Sequence, residues 1–185
     1  MVMTPSWNEA FFELFREAVA RYYAGCQRVE TLFTEGECEF LSQLGCAPHV
    51  LFNWVQLYSK SGSPSPTTCL LLMAVRRDFM NQEQEGAPYS GAAVLDRQLP
   101  AFRVEFSGMP YLPRIIAKAQ AYLLGAMGRD LVFPCENDQK FLREHGDIDC
   151  VDFLKLVWLT KADSAKIYDF VRENTPSHII SSEVE

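Results

Sequence analysis

Apolar side chains in this chain recur at helical spacing, and glycine or proline repeatedly interrupts the pattern. In the first such segment Phe11, Phe15, Val19 and Tyr22 lie three or four residues apart, which places them on one helix face. Gly25 follows at a position suited to a left-handed helix end. The pattern predicts a mainly α-helical fold.

The same spacing, with its capping residues, predicts four helices in each half of the chain. Ser6 with Glu9 forms a capping box sequence, and Ser65 precedes a proline at a first helical position. The predicted helices cover about 7–24, 35–44, 48–61, 66–81, 112–124, 137–144, 149–159 and 163–174. Residues 177–185 are predicted to be a loose tail.

Residues 82–110 lack the helical pattern and contain three glycines and three prolines. Phe102 to Phe106 alternates with a period of two, but a lone short strand has no evident partner. We therefore expect a long irregular connection between the two halves. A loop of this length in a small domain is often functional.

The two halves align with one another at an offset of about 100 residues. Tyr22 and Gly25 match Tyr122 and Gly125, and further aromatic residues, aliphatic residues and glycines follow in register. The alignment predicts a duplication in which halves 7–81 and 111–174 pack about a pseudo-twofold axis as one compact domain. The alternative is that two four-helix stretches share such a pattern by chance.

Charge and cysteine content restrict the function classes. The net charge of −7 argues against binding to nucleic acid through phosphate neutralisation. The longest apolar run, Cys69 to Val75, is too short to cross a membrane, and Met1 to Glu9 does not resemble a signal peptide. We therefore expect a cytoplasmic protein with reduced thiols. We also expect no cofactor, and no cysteine or histidine spacing fits a metal site.

Two motifs in the second half carry a family resemblance. The first reads Tyr111-Leu112-Pro113-Arg114 with Lys118-Ala119, and the second reads Cys135-Glu136-Asn137-Asp138-Gln139-Lys140-Phe141-Leu142, with Gly125 between them. Together they resemble the bacterial domain-of-unknown-function family 5069, which often has Cys-Gly-Gly-Asp-Arg where residues 135–139 differ here. The resemblance implies a helical fold and a bacterial cytosolic protein, and it implies no activity.

A basic pair on one predicted helix is the main candidate for a binding site. Arg114 and Lys118 lie four residues apart on the same helix face, where like charges repel. Arg114 also falls in the first helical turn, where the helix dipole disfavours a cation. A bound carboxylate or phosphate would offset both costs, and so would Asp138. The alternative is a solvated surface pair or a structural salt bridge to Asp138.

The alignment of the halves supports this candidate. Arg114 and Lys118 align with Leu14 and Ala18 of the first half, so the basic pair is not duplicated. Duplication alone therefore does not explain the pair. The predicted anion site contains two basic residues, one carboxylate, two tyrosines as walls and one further arginine from the first half. These residues are Arg114, Lys118, Asp138, Tyr111, Tyr122 and Arg76.

Cys135 is a second candidate because it precedes a predicted helix start, where backbone dipoles favour a thiolate. It is a nucleophile candidate with His145 as the base. The alternative is a small apolar packing residue, which is the usual role of a free cysteine.

Two functions follow from these patterns. The first is binding of a small anionic molecule in a pocket between the helical halves, with enzymatic activity left open. The alternative is a protein-interaction module or homodimer that presents Phe102, Phe106, Met109 and Tyr111 to a partner. Neither function involves nucleic acid or a membrane.

Overall fold

The computed structural model describes residues 6–176, and helices dominate this part of the chain. The helices are α1 (Trp7–Tyr23), α2 (Val29–Leu32), α3 (Glu35–Gln43), α4 (Pro48–Ser61), α5 (Pro66–Glu83), α6 (Leu112–Leu124), α7 (Glu136–Glu144), α8 (Cys150–Leu159) and α9 (Ser164–Asn174). The mainly α class is confirmed. The tail predicted at 177–185 lies outside the described residues.

Helix starts follow the predicted capping chemistry. The Glu9 carboxylate accepts the Ser6 backbone N–H at 2.8 Å, and the Ser65 hydroxyl accepts the Thr68 N–H at 3.1 Å. The Asp149 carboxylate accepts the Val151 N–H at 2.8 Å. Only the short α2 was not predicted, because one helical turn is too short to show a periodic pattern.

The segment that begins at Phe102 contains a hairpin, which corrects the expectation of a strand without a partner. Strand β1 (Glu105–Phe106) pairs antiparallel with β2 (Met109–Pro110). Ser107 and Gly108 connect them, both with positive φ, as in a type I′ turn. The partner was missed because a two-residue strand that ends in proline has no strand pattern of its own.

The chain divides into two compact units between Ser90 and Gly91. In the first unit, α1 packs against α4 and α5 around a core that includes Phe11, Phe15 and Trp54. These apolar side chains come from the predicted helix stripes, so burial of apolar surface accounts for their arrangement.

The second unit contains α6 to α9 together with the hairpin. Helix α6 packs against α8 and α9, and Leu112, Ile115 and Phe153 are fully buried there. This unit also includes residues 91–110, where Val94 forms a parallel bridge with Met127. Much of the predicted connection is therefore part of the second unit.

In each unit the first long helix packs against the last two helices, since α1 contacts α4 and α5 as α6 contacts α8 and α9. This is the order that a duplication predicts, but the duplication itself stays a prediction. Within residues 6–176, every helix falls short of the length or the apolar character that a bilayer crossing requires.

Candidate functional site: a pocket beside a buried basic pair in the second unit

The β1–β2 hairpin leads directly into the start of α6. Tyr111 is the N-cap of this helix and has a φ of 70°, a left-handed conformation that is uncommon for a residue with a side chain. Pro113 occupies the first turn, where its missing N–H costs nothing. Arg114 and Lys118 follow on the same face and are only 5% and 4% exposed. The reading of this pair as a solvated surface pair is therefore wrong.

The Arg114 guanidinium is held by residues that precede the hairpin. It forms an ion pair with the Asp96 carboxylate and donates to the Pro100 carbonyl at 2.9 Å. The Phe102 ring lies over it, with 4.3 Å between Cζ and the ring centroid, a cation–π geometry. Nε of Arg114 is buried and donates to no residue within the described range 6–176.

The Lys118 ammonium has two partners at the start of α7. It lies 2.5 Å from Oδ2 of Asp138 and 3.1 Å from Sγ of Cys135. Asp138 is fully buried, and its Oδ2 also accepts the backbone N–H of Cys135 at 2.7 Å. This carboxylate therefore both caps α7 and neutralises Lys118, so Asp138 is the predicted partner of one cation of the pair.

Tyr111 completes this cluster. Its hydroxyl donates to Oδ1 of Asp138 at 2.7 Å and lies 3.9 Å from Sγ of Cys135. Burial raises the pKa of the Tyr111 hydroxyl, and the neighbouring Asp138 charge raises it further. The Tyr111 hydroxyl therefore stays protonated across the physiological pH range and donates a hydrogen bond to Asp138.

Most of these groups, but not Asp138, line one pocket of about 150 Å³. Its lining residues are Asp96, Phe102, Tyr111, Arg114, Lys118, Asp130, Leu131, Val132 and Cys135. Two cations and two carboxylates thus face a partly enclosed space whose remaining walls are aromatic and aliphatic. All nine residues belong to the second unit.

A second pocket of about 270 Å³ shares Phe102 and Tyr111 with the first and extends to Phe141 and His145. Nδ1 of His145 lies 2.7 Å from the Phe141 carbonyl oxygen, and the two rings are 4.1 Å apart. His145 was predicted as the base for Cys135, but the hydrogen-bonding groups that the structure places at this sulfur are the Lys118 ammonium and the Tyr111 hydroxyl.

Two predicted site residues have other surroundings. Tyr122 is buried against Phe133, with ring centroids 5.8 Å apart, and does not line the pocket. Arg76 belongs to the first unit, where Nε donates to the Gly45 carbonyl at 3.1 Å and Nη1 to Gln84 at 2.9 Å. Both contribute to the cores of their units.

Two carboxylates of the pocket were not predicted. Asp96 is the ion-pair partner of Arg114, and Asp130 accepts the Asp96 backbone N–H at 3.0 Å. Phe102 was predicted for a different role. Asp96 and Phe102 lie in the segment that was interpreted as a connection, and no periodic pattern there indicates which side chains turn inward. The one available signal was the charge balance of the predicted site, which contained three basic residues and one carboxylate.

The surface predicted to face a protein partner is not continuous. Phe102 is 52% exposed, but Met109 is buried and Phe106 packs on Tyr168 with ring centroids 5.8 Å apart. A homodimer stays a prediction without a defined surface. Across residues 6–176, no group of three or more histidine, cysteine or acidic side chains has the arrangement of a metal site.

Comparisons with protein-family models, curated proteins and solved structures gave no match for this chain. The resemblance to family 5069 therefore depends on the quoted motifs alone.

Proposed function

We propose that the second unit binds a small molecule through a carboxylate or phosphate group, with Arg114 as the principal anion ligand and Lys118 beside it. The supporting observation is the state of Arg114. It is a buried guanidinium that lines a pocket, leaves Nε without a hydrogen bond among residues 6–176, and is paired with one half-exposed carboxylate. A buried arginine normally has its donors satisfied, because each unsatisfied group costs about 1–3 kcal/mol.

The two carboxylates that neutralise the basic pair differ in how firmly they are held. Asp138 is fully buried and accepts from Tyr111, Lys118 and the Cys135 backbone. The Asp96 side chain is 51% exposed. A ligand anion can therefore replace Asp96 on Arg114 while Asp138 keeps its partners, since a displaced surface carboxylate regains its hydration.

The size of the pocket restricts the ligand. Pockets for drug-sized ligands usually measure about 300–1,000 Å³, and this pocket is about 150 Å³. The ligand group that enters it is therefore a few heavy atoms in size, such as phosphate or a short-chain carboxylate. Any larger part of the molecule would lie against Phe102 and Tyr111, which also border the second pocket.

Titration calorimetry and thermal unfolding with inorganic phosphate, acetate and succinate, at constant ionic strength, test this proposal. An anion at 100 times its Kd stabilises the folded protein by about 2.7 kcal/mol, which raises the Tm by several degrees. Arg114→Met is expected to abolish the effect, and Arg114→Lys to retain part of it. Lys166→Met, which removes an exposed cation of the same unit that lines neither pocket, is the matched control and should behave like the native protein.

The proposal is wrong if none of the three anions binds the native protein. It is also wrong if Arg114→Met, once shown by circular dichroism to be folded, binds the anions as tightly as Lys166→Met does.

A further inference from the structure

The starts of α3 and α7 have the same capping arrangement, built from different residue types. Before α3, the Thr34 hydroxyl accepts the Glu37 N–H at 3.3 Å, and the Glu37 carboxylate accepts the Thr34 N–H at 2.7 Å. Before α7, the Asp138 carboxylate accepts the Cys135 N–H in the same way. Each carboxylate lies three residues after its N-cap, and the N-cap is threonine in one unit and cysteine in the other.

Both carboxylates also bind a cation from the preceding long helix. Arg21 of α1 donates to the two oxygens of Glu37 at 2.8 and 2.9 Å, as Lys118 of α6 donates to Asp138. The basic pair was thought to have no counterpart in the first half, but Lys118 has one in Arg21. A carboxylate–cation ion pair is therefore common to both units, whereas the thiol has no counterpart in the first unit.

Helix capping does not explain this thiol. Serine, threonine, aspartate and asparagine are the preferred N-caps, and a cysteine sulfur is a weak hydrogen-bond acceptor. Sγ of Cys135 instead lies 3.1 Å from the Lys118 ammonium and lines the pocket that contains Arg114. Reactive cysteines are typically partly exposed and lie beside a cation, as this half-buried thiol does.

We infer that Cys135 is a covalent site, whose thiol reacts at carbon with a small electrophile that carries a carboxylate. The inference deepens the proposed function, because Arg114 would hold the carboxylate. Arg114 lines the same pocket as the sulfur, and the Asp96 carboxylate that it binds is half exposed, so an incoming carboxylate can take the place of Asp96. Lys118 donates to the sulfur and so holds it at the pocket wall.

The step is a substitution at carbon. The sulfur electron pair forms an S–C bond, the bond from that carbon to its leaving group breaks, and the leaving group departs with the bonding electrons. The thiol proton is released to water through the open side of the pocket. No oxidant or metal is needed, and the product is a thioether that carries the carboxylate.

Iodoacetate and iodoacetamide test the inference on the full, native chain. The two reagents form the same S–C bond and expel iodide, but only iodoacetate is an anion. Alkylation is followed over time at each cysteine by peptide mass spectrometry. Cys26 and Cys38, both half-buried, are internal controls in the same molecule.

We expect the ratio of iodoacetate to iodoacetamide rates at Cys135 to exceed that at Cys26 by about tenfold, the lower end of electrostatic rate enhancement. Phosphate should slow alkylation of Cys135 alone. Arg114→Met should reduce the ratio to that of Cys26, and Arg114→Lys should restore part of it. If a variant fails to fold, phosphate protection in the native chain provides the same test.

Equal ratios at Cys135 and Cys26 would overturn the inference, and so would fast reaction of Cys135 with both reagents without a preference for the anion. Calorimetry with phosphate on Cys135→Ser separates the two proposals. If this variant binds phosphate while the native thiol shows no preference for iodoacetate, the covalent role fails and the anion site stands.

Discussion

Asp96 and Arg114 form an ion pair whose members differ in burial, since the arginine side chain is 6% exposed and the aspartate side chain 51%. The cation is fixed in the second unit by the Pro100 carbonyl and the Phe102 ring. The carboxylate lies at the surface, beside a 3₁₀ turn, Asp96–Gln98. Asp96 therefore occupies the position on Arg114 that an external anion would take.

Replacing Asp96 by alanine should strengthen anion binding. The substitution removes the internal competitor and leaves the buried Arg114 charge without a carboxylate, so the Kd for phosphate should fall on the order of tenfold, or about 1.4 kcal/mol. Calorimetry measures this change. Asp152→Ala, which removes an exposed carboxylate of the same unit, is the control. An unchanged or higher Kd in Asp96→Ala would show that the anion does not bind at Arg114.

Replacing Asp138 by asparagine should destabilise the second unit. The change leaves the Lys118 ammonium buried without its carboxylate, which typically costs about 3–5 kcal/mol in the free energy of unfolding. Urea denaturation measures this cost. Glu37→Gln is the matched control, and it should cost less because the Glu37 side chain is 20% exposed. Similar losses in both variants would contradict the expected role of burial.

Stability should fall in strongly alkaline solution because of buried thiols. Burial raises the pKa of Cys46 from 9.0 to about 12, and the Arg76 charge opposes this only in part. Between pH 9 and 12 the unfolded chain releases a thiol proton that the folded chain retains. The free energy of unfolding should therefore fall by about 1.4 kcal/mol per pH unit for this residue.

Urea denaturation between pH 8 and 11.5 checks this expectation. Cys46→Ala should flatten the slope relative to the native chain. Identical slopes in the native chain and in Cys46→Ala would show that Cys46 does not remain protonated in the folded state.

Gly45→Ala should destabilise the first unit more than Gly62→Ala. Both glycines have a φ near 75°, so a side chain at either is strained, by about 1–2 kcal/mol. A Cβ at Gly45 would also lie 2.8 Å from Sδ of Met80 and 3.0 Å from Nη2 of Arg76, whereas Gly62 has open space. Comparing their unfolding free energies isolates the contact from the backbone strain. Equal losses would mean that Met80 and Arg76 adjust without cost.

The helices were predictable because their signals are local. Apolar spacing and N-caps such as Ser65 and Asp149 act within one or two turns, so a single sequence contains them. The partners of Arg114 were not predicted, because they come from a segment with no regular pattern. The pairing of Lys118 with Asp138 was predicted as an alternative, since a nearby carboxylate offsets the repulsion between two like charges on one helix face. The groups beside the Cys135 sulfur were not predicted, because nearness in sequence does not determine which side chain faces it.

One side of the pocket is formed by a packed helix and the other by an irregular segment. Arg114 and Lys118 extend from a helix whose apolar residues are buried, whereas Asp96 and Phe102 extend from an irregular segment of largely exposed residues. Local opening of such segments requires less free energy than opening of a packed helix. If the second unit binds an anion as proposed, residues 95–102 would open before α6 does and would set the rate of ligand exchange, so substitutions there could change that rate without altering Arg114 or Lys118.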